Sequence, residues 1–296
     1  MGGVDLKLQI ERARAQALAR EVDLKKRERL SPCIKKYDSL LEELRQKGVL
    51  EAEIEAMSQI TSIFRGTYAD VLGQIERSGK SGIGATNAIK RSAGTNFQGL
   101  CEYAVIQWLK TTDLPFNIGP NAPKSLKDEL TIYGEDADGG SFSVEPDIDI
   151  SLWLEDGNPS SPVIFVSAKT SLVDRAGQAA RWKMYLDLHQ TSCMHIKSIS
   201  DCPINRTKIR IKTQHPIVHS IVTANIYKID STQPFGELES GQCRNNTYMF
   251  KHKYTTRNDT IERRPESWKS FSEFPDLVKR VYLEYKGINS IRLPPH

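Results

Sequence analysis

The sequence predicts an α/β (α+β) fold: a mixed central sheet flanked by helices, with a helical region at the N-terminus. Three observations predict it. Residues 4 to about 80 are rich in Leu, Ala, Glu, Lys and Arg, and apolar positions such as Leu40, Leu41 and Leu44 recur at helical spacing. Beyond them, β-branched runs of strand length alternate with amphipathic stretches. The resulting order of helix, strand hairpin, helix and further strands belongs to a layered fold. The expected division is a helical domain over 1–80 and an α/β domain over 81–296.

The N-terminal helices are expected to break at Ser31-Pro32 and near Lys47-Gly48. This region supports the rest of the chain, clamps a ligand or serves oligomerisation. Residues 78–96, SGKSGIGATNAIKRSAGTN, read as a loop because glycine and small polar residues dominate. Gly79-Lys80-Ser81 does not make a phosphate loop, since Gly73 stands one residue too far upstream and no strand precedes it. Lys80, Lys90 and Arg91 in this segment can still meet phosphates. An amphipathic helix follows, with Phe97, Leu100, Cys101, Ala104, Val105, Trp108 and Leu109 on one stripe and Glu102 at its margin.

Two apolar runs, Ile148–Leu154 and Val163–Ala168, flank the turn formers of 155–161 and predict an antiparallel hairpin centred on Asn158. In that register Ile150 faces Val166 and Leu152 faces Ile164 on one apolar face. The other face pairs Ser151 with Phe165, Asp149 with Ser167 and Asp147 with Lys169. A slip of one residue would mix the faces. Two carboxylates and an amine thus gather at the open end. A carboxylate can hold Mg²⁺, and an ammonium beside it can orient water and steady charge on a phosphate. The same residues also suit a plain Asp–Lys pair at a sheet edge.

After the hairpin, Ser171-x-x-Asp174 has the form of a capping box. On the helix it opens, Arg175, Gln178 and Arg181 recur at three-residue steps, a face suited either to base reading or to solvent. Later strands are expected at 208–212, 217–227 and 248–254, the second of them central, and a helix over 276–285. His215, His219 and His252 lack ligand spacing and read as structural.

Composition sets limits. No apolar run is long enough to span a bilayer, and the first twenty residues lack a signal-peptide core. Cys33, Cys101, Cys193, Cys202 and Cys243 show no CxxC spacing, which points to reduced thiols in a cytoplasmic protein. A net charge of +4 is too small to argue for nucleic acid, so a local basic face matters more than the total.

Pro146-Asp147 and the strand ending Ser167-Ala168-Lys169 resemble the PD-(D/E)xK nuclease signature. The string Lys169-Thr170-Ser171-Leu172, followed by Asp174-Arg175, resembles the type II restriction endonucleases that read CCGG or CC(A/T)GG. Gly94-Thr95 with Glu102 is similar to a helix of that group, and the helical N-terminus is similar to its BsaWI type. The resemblance implies a restriction-endonuclease-like core and Mg²⁺-dependent cleavage of double-stranded DNA at a short palindrome, leaving 5′-phosphates. It implies Asp147 as principal metal ligand, Lys169 as the water-positioning amine and Glu102 completing the acidic site. Asp174 and Arg175 would read cytosine and guanine, joined by Gln178 and Arg181. Position 167 is Ser where the motif has an acid, so the second metal-binding acid is Glu102 by first choice and Asp149 by second, and Val173 stands where the recognition element usually has Arg or Lys. A homodimer or tetramer, a prokaryotic cytoplasm and a cognate DNA methyltransferase in the same system are further implications. The alternatives are an inactive DNA-binding protein of nuclease-like fold and a structure-selective repair nuclease.

Overall fold

The computed structural model describes residues 5–79, 82–120, 124–135, 139–145, 148–170, 172, 176–190, 210–224, 247–257 and 266–288. Five helices come first: α1 (Leu6–Lys25), α2 (Ser31–Gln46), α3 (Ala52–Ser58), α4 (Ile60–Gly66) and α5 (Tyr68–Arg77). The breaks fall where the sequence placed them. Pro32 opens α2, where its missing N–H costs nothing, and Gly48 turns the chain after α2 at φ 73°.

The loop expected over 78–96 is largely absent. From Gly82 onward it is helix, continuous with the amphipathic stretch as α6 (Gly82–Leu109). Its glycines and small polar residues have weak helix propensity, but tertiary contacts override that preference. Ala88 packs with Val71 and Ile75 of α5. Asn96 donates to the Arg29 carbonyl at 2.8 Å, and Arg29 donates to Ser92 Oγ at 2.9 Å. Small side chains are what the contact requires: a Cβ on Gly99 would stand 2.7 Å from Leu30 Cδ2.

Among the described residues the next elements are β1 (Phe116–Gly119), α7 (Lys124–Leu130), β2 (Ile132–Glu135), β3 (Ser141–Val144), β4 (Ile150–Leu154), β5 (Val163–Lys169) and α8 (Ala176–Gln190). Then come β6 (Arg210–Ile211), β7 (Ile217–Thr223), β8 (His252–Thr255), β9 (Lys269–Ser270) and α9 (Phe274–Tyr285). Six strands form one mixed sheet in the order β1-β4-β5-β7-β8-β9, and β3-β2-β6 form a small second sheet. The hairpin register is the expected one, with Ile150 opposite Val166, Ser151 opposite Phe165 and Leu152 opposite Ile164. To the other side of β5, β7, β8 and β9 run parallel.

Every residue of β5 is buried, because helices cover both faces of the sheet. Ile164, Val166 and Ala168 point into a core shared with Phe97, Leu100 and Ala104 of α6. Val163 and Phe165 point the other way, onto Trp182 and Leu186 of α8. Residues on both sides of position 80 belong to the first of these cores, among them Leu24, Tyr37, Ile60 and Ile150. The edge strand β1 is capped by α1: Gln16 accepts from the Ile118 N–H at 3.0 Å and donates to its carbonyl, which occupies an otherwise open backbone edge.

Candidate active site

The carboxyl ends of β5 and β7 lie side by side, at the point where the sheet changes from antiparallel to parallel pairing. Ligands of open α/β sheets bind outside the carboxyl ends of the strands. Lys169 ends β5 and is only 4% exposed. Its Nζ donates to Asp149 Oδ2 at 2.8 Å, and the same oxygen accepts from the Ala168 N–H at 2.8 Å. Asp149 stands one residue before β4, and its backbone carbonyl accepts from Gln98 Nε2 at 2.6 Å. The end of β5 thus holds the carboxylate through two donors, and α6 holds the Asp149 backbone.

Asp149 opens onto a cleft of about 340 Å³. Ala168 and Thr170 share its floor, and one face of α6 forms its wall with Asn87, Lys90, Arg91, Thr95 and Gln98. Lys90 and Arg91 are exposed there. The spacing along α6 is that of a single helical face, a polar stripe visible in the sequence once the segment is read as helix.

The other expected site residues fall as follows. Asp147, Asp174 and Arg175 lie outside the described residues, as does the capping serine at 171. Gln178 sits on α8, and Arg181 is exposed on the same helix. Glu102 is fully buried and spends both carboxylate oxygens on Arg20 of α1, at 2.6 and 2.9 Å. Among the described residues, Asp149 is an acid that the structure brings to Lys169.

Ser167, which stands where the motif has an acid, is buried and shares a 2.9 Å hydrogen bond with His219 Nε2. His219 lies between the rings of Phe165 and Phe250, and burial, with Lys183 and Lys169 nearby, pushes its pKa down to about 3. It is neutral at physiological pH. His215 Nδ1 lies 2.8 Å from the Ser161 carbonyl. Both imidazoles are thus held by contacts within the fold.

Among the described residues no three His, Cys, Asp or Glu side chains converge as a metal cage. A Mg²⁺ ion does not require one, since it keeps several waters and needs only one or two carboxylates beside substrate phosphates. An acid at the floor of a polar cleft fits that donor set. Neither family models nor curated proteins match the chain. Among the described residues no helix is long and apolar enough to cross a membrane.

Proposed function

We propose that the chain is a Mg²⁺-dependent endonuclease acting on double-stranded DNA, of the type II restriction kind. The observation that carries this reading is the convergence of Asp149 and Lys169 at 2.8 Å beneath a cleft walled by Lys90 and Arg91. The mixed sheet flanked by helices, with the amine at the end of a central strand, supports a restriction-endonuclease-like core.

In this reading Asp149, with Asp147, holds the metal ion. When bound, such an ion would supply a water of lowered pKa and charge neutralisation at the phosphate. Lys169 orients the attacking water and stabilises the charge that develops on the phosphate oxygens. Its burial at the end of β5 and its bond to Asp149 fix the amine, so little reorganisation is needed during reaction. Ala168 N–H and the Gln98 amide hold the Asp149 segment in place. Lys90 and Arg91 attract the DNA backbone. The base-reading roles of Asp174, Arg175, Gln178 and Arg181, a palindromic site containing CCGG and a homodimer that cuts both strands belong to the same proposal.

The test is digestion of plasmid and phage DNA with and without Mg²⁺, using wild type, Asp149→Asn, Asp147→Asn and Lys169→Ala. Discrete fragments from the wild type alone, with 5′-phosphate ends, are expected. Equal absence of cleavage by all four proteins in Mg²⁺ and Mn²⁺ would remove the enzyme reading and leave a DNA-binding protein. A requirement for branched substrates would replace it with a repair nuclease.

A further inference from the structure

A second polar groove, of about 1030 Å³, lies among the N-terminal helices, between the end of α1, the start of α2 and the outer face of α5. Five cations line it: Lys25, Lys26, Lys35, Lys36 and Arg77. Two acids accompany them, Glu28 and Asp70. Lys25 is engaged with Glu21 at 2.8 Å. Lys26, Lys35, Lys36 and Arg77 are exposed and have no ion-pair partner among the described residues. For a chain whose total charge is only +4, this is a strong local excess. Ser31 and Pro32, at the N-terminal end of α2, also face the groove and add the positive end of a helix dipole.

We propose that this groove is a second binding surface for duplex nucleic acid, contacting the phosphate backbone without reading sequence. Its chemistry separates that partner from a protein. Protein interfaces are anchored by buried aromatic or large apolar side chains. The lining here has none, since Pro32 and Ala69 are its only apolar side chains. Gly73, Ala69 and Ser39 keep the surface low between the cations, and Gly66 leaves room for the Lys36 amine to lie over it. Dispersed, unpaired cations around a low polar surface match a phosphate ladder, whose binding is dominated by counterion release. The proposal does not rest on the chemistry of the Asp149 cleft, and its readout is binding, so a failure to cleave DNA leaves it standing.

The experiment uses the full chain and a non-specific duplex, with affinity measured by anisotropy between low and moderate salt. The variant Lys26→Ala/Lys35→Ala/Lys36→Ala/Arg77→Ala is expected to bind roughly tenfold or more weakly at low salt. Its slope of log affinity against log salt should be shallower by about 3 to 4, at about 0.9 per phosphate contact. The reverse variant, Glu28→Gln/Asp70→Asn, should bind more tightly than wild type, a gain that misfolding cannot imitate. Unchanged slopes in both variants would overturn the proposal. So would a quadruple variant that keeps duplex binding but loses binding to poly-glutamate, which would make the groove a site for acidic protein.

Discussion

Asp149 and Lys169 carry the functional reading at the scale of single residues. Replacing Lys169 by Ala removes the buried donor aimed at developing charge, and such losses lower rates by about 10²–10³-fold. Asp149→Asn keeps an oxygen for the Ala168 N–H but removes the charge. It should abolish cleavage while leaving DNA affinity in Ca²⁺ within a few-fold of wild type. A comparable loss of binding and cleavage would assign Asp149 to structure instead. The Arg20–Glu102 pair is a second residue-scale device, with side chains 11% and 1% exposed. Arg20→Ala strands a buried carboxylate and should lower stability by about 3–5 kcal/mol. Arg20→Met/Glu102→Leu should recover much of that loss. Urea denaturation of both variants provides the comparison, and equal midpoints for the two would contradict a buried-charge origin.

Among the elements, α6 does two jobs. Its apolar stripe of Phe97, Leu100 and Ala104 packs under the sheet, and its N-terminal half walls the cleft with Lys90 and Arg91. The double variant Lys90→Ala/Arg91→Ala should make the salt slope of duplex binding shallower by about 2, with little change in melting temperature, because both side chains are exposed. A slope equal to that of wild type would take this wall out of the DNA path. The helix also shows where local reading falls short. Gly82, Gly84 and Gly94 speak for a loop in isolation, yet Ala88, Ser92 and Asn96 are buried against α5 and the turn after α1. Burial and hydrogen bonding to distant residues outweigh a propensity deficit of about 1 kcal/mol per glycine.

For the whole molecule, acid stability reports on how the parallel side of the sheet is packed. The pKa of His219 is pushed down to about 3 and that of His252 to about 4, in both cases chiefly by burial and then by nearby cations. Both imidazoles are neutral in the folded protein and bind protons in the unfolded chain below its pKa of about 6.5. The unfolded state then holds more protons, so stability is full above pH 6.5 and falls as the pH drops toward 4 and 3. Each histidine contributes a slope of up to about 1.4 kcal/mol per pH unit. Chemical denaturation between pH 7 and 4.5 should show this decline, and His219→Gln should flatten it. A His219→Gln variant with the wild-type slope would place the acid sensitivity elsewhere.

Local pattern was enough for the class of fold, the helix breaks at Ser31-Pro32 and Gly48, and the β4–β5 register, because alternation of apolar residues admits one pairing that keeps a face dry. The strand at 217–223 was legible for a similar reason: a near-continuous apolar run needs cover on both faces. Strands β1, β2, β3 and β9 escaped notice: each is four residues or fewer and was not part of a longer strand-like run, as β6 and β8 were. The commitment of Glu102 to Arg20 and the two basic clefts were matters for tertiary structure. The Glu102–Arg20 pair and the two clefts join residues far apart in the chain, and no sequence period encodes which distant charge will lie within 3 Å of another, whereas Asp149 and Lys169 share one hairpin whose pattern already gathered them at its open end.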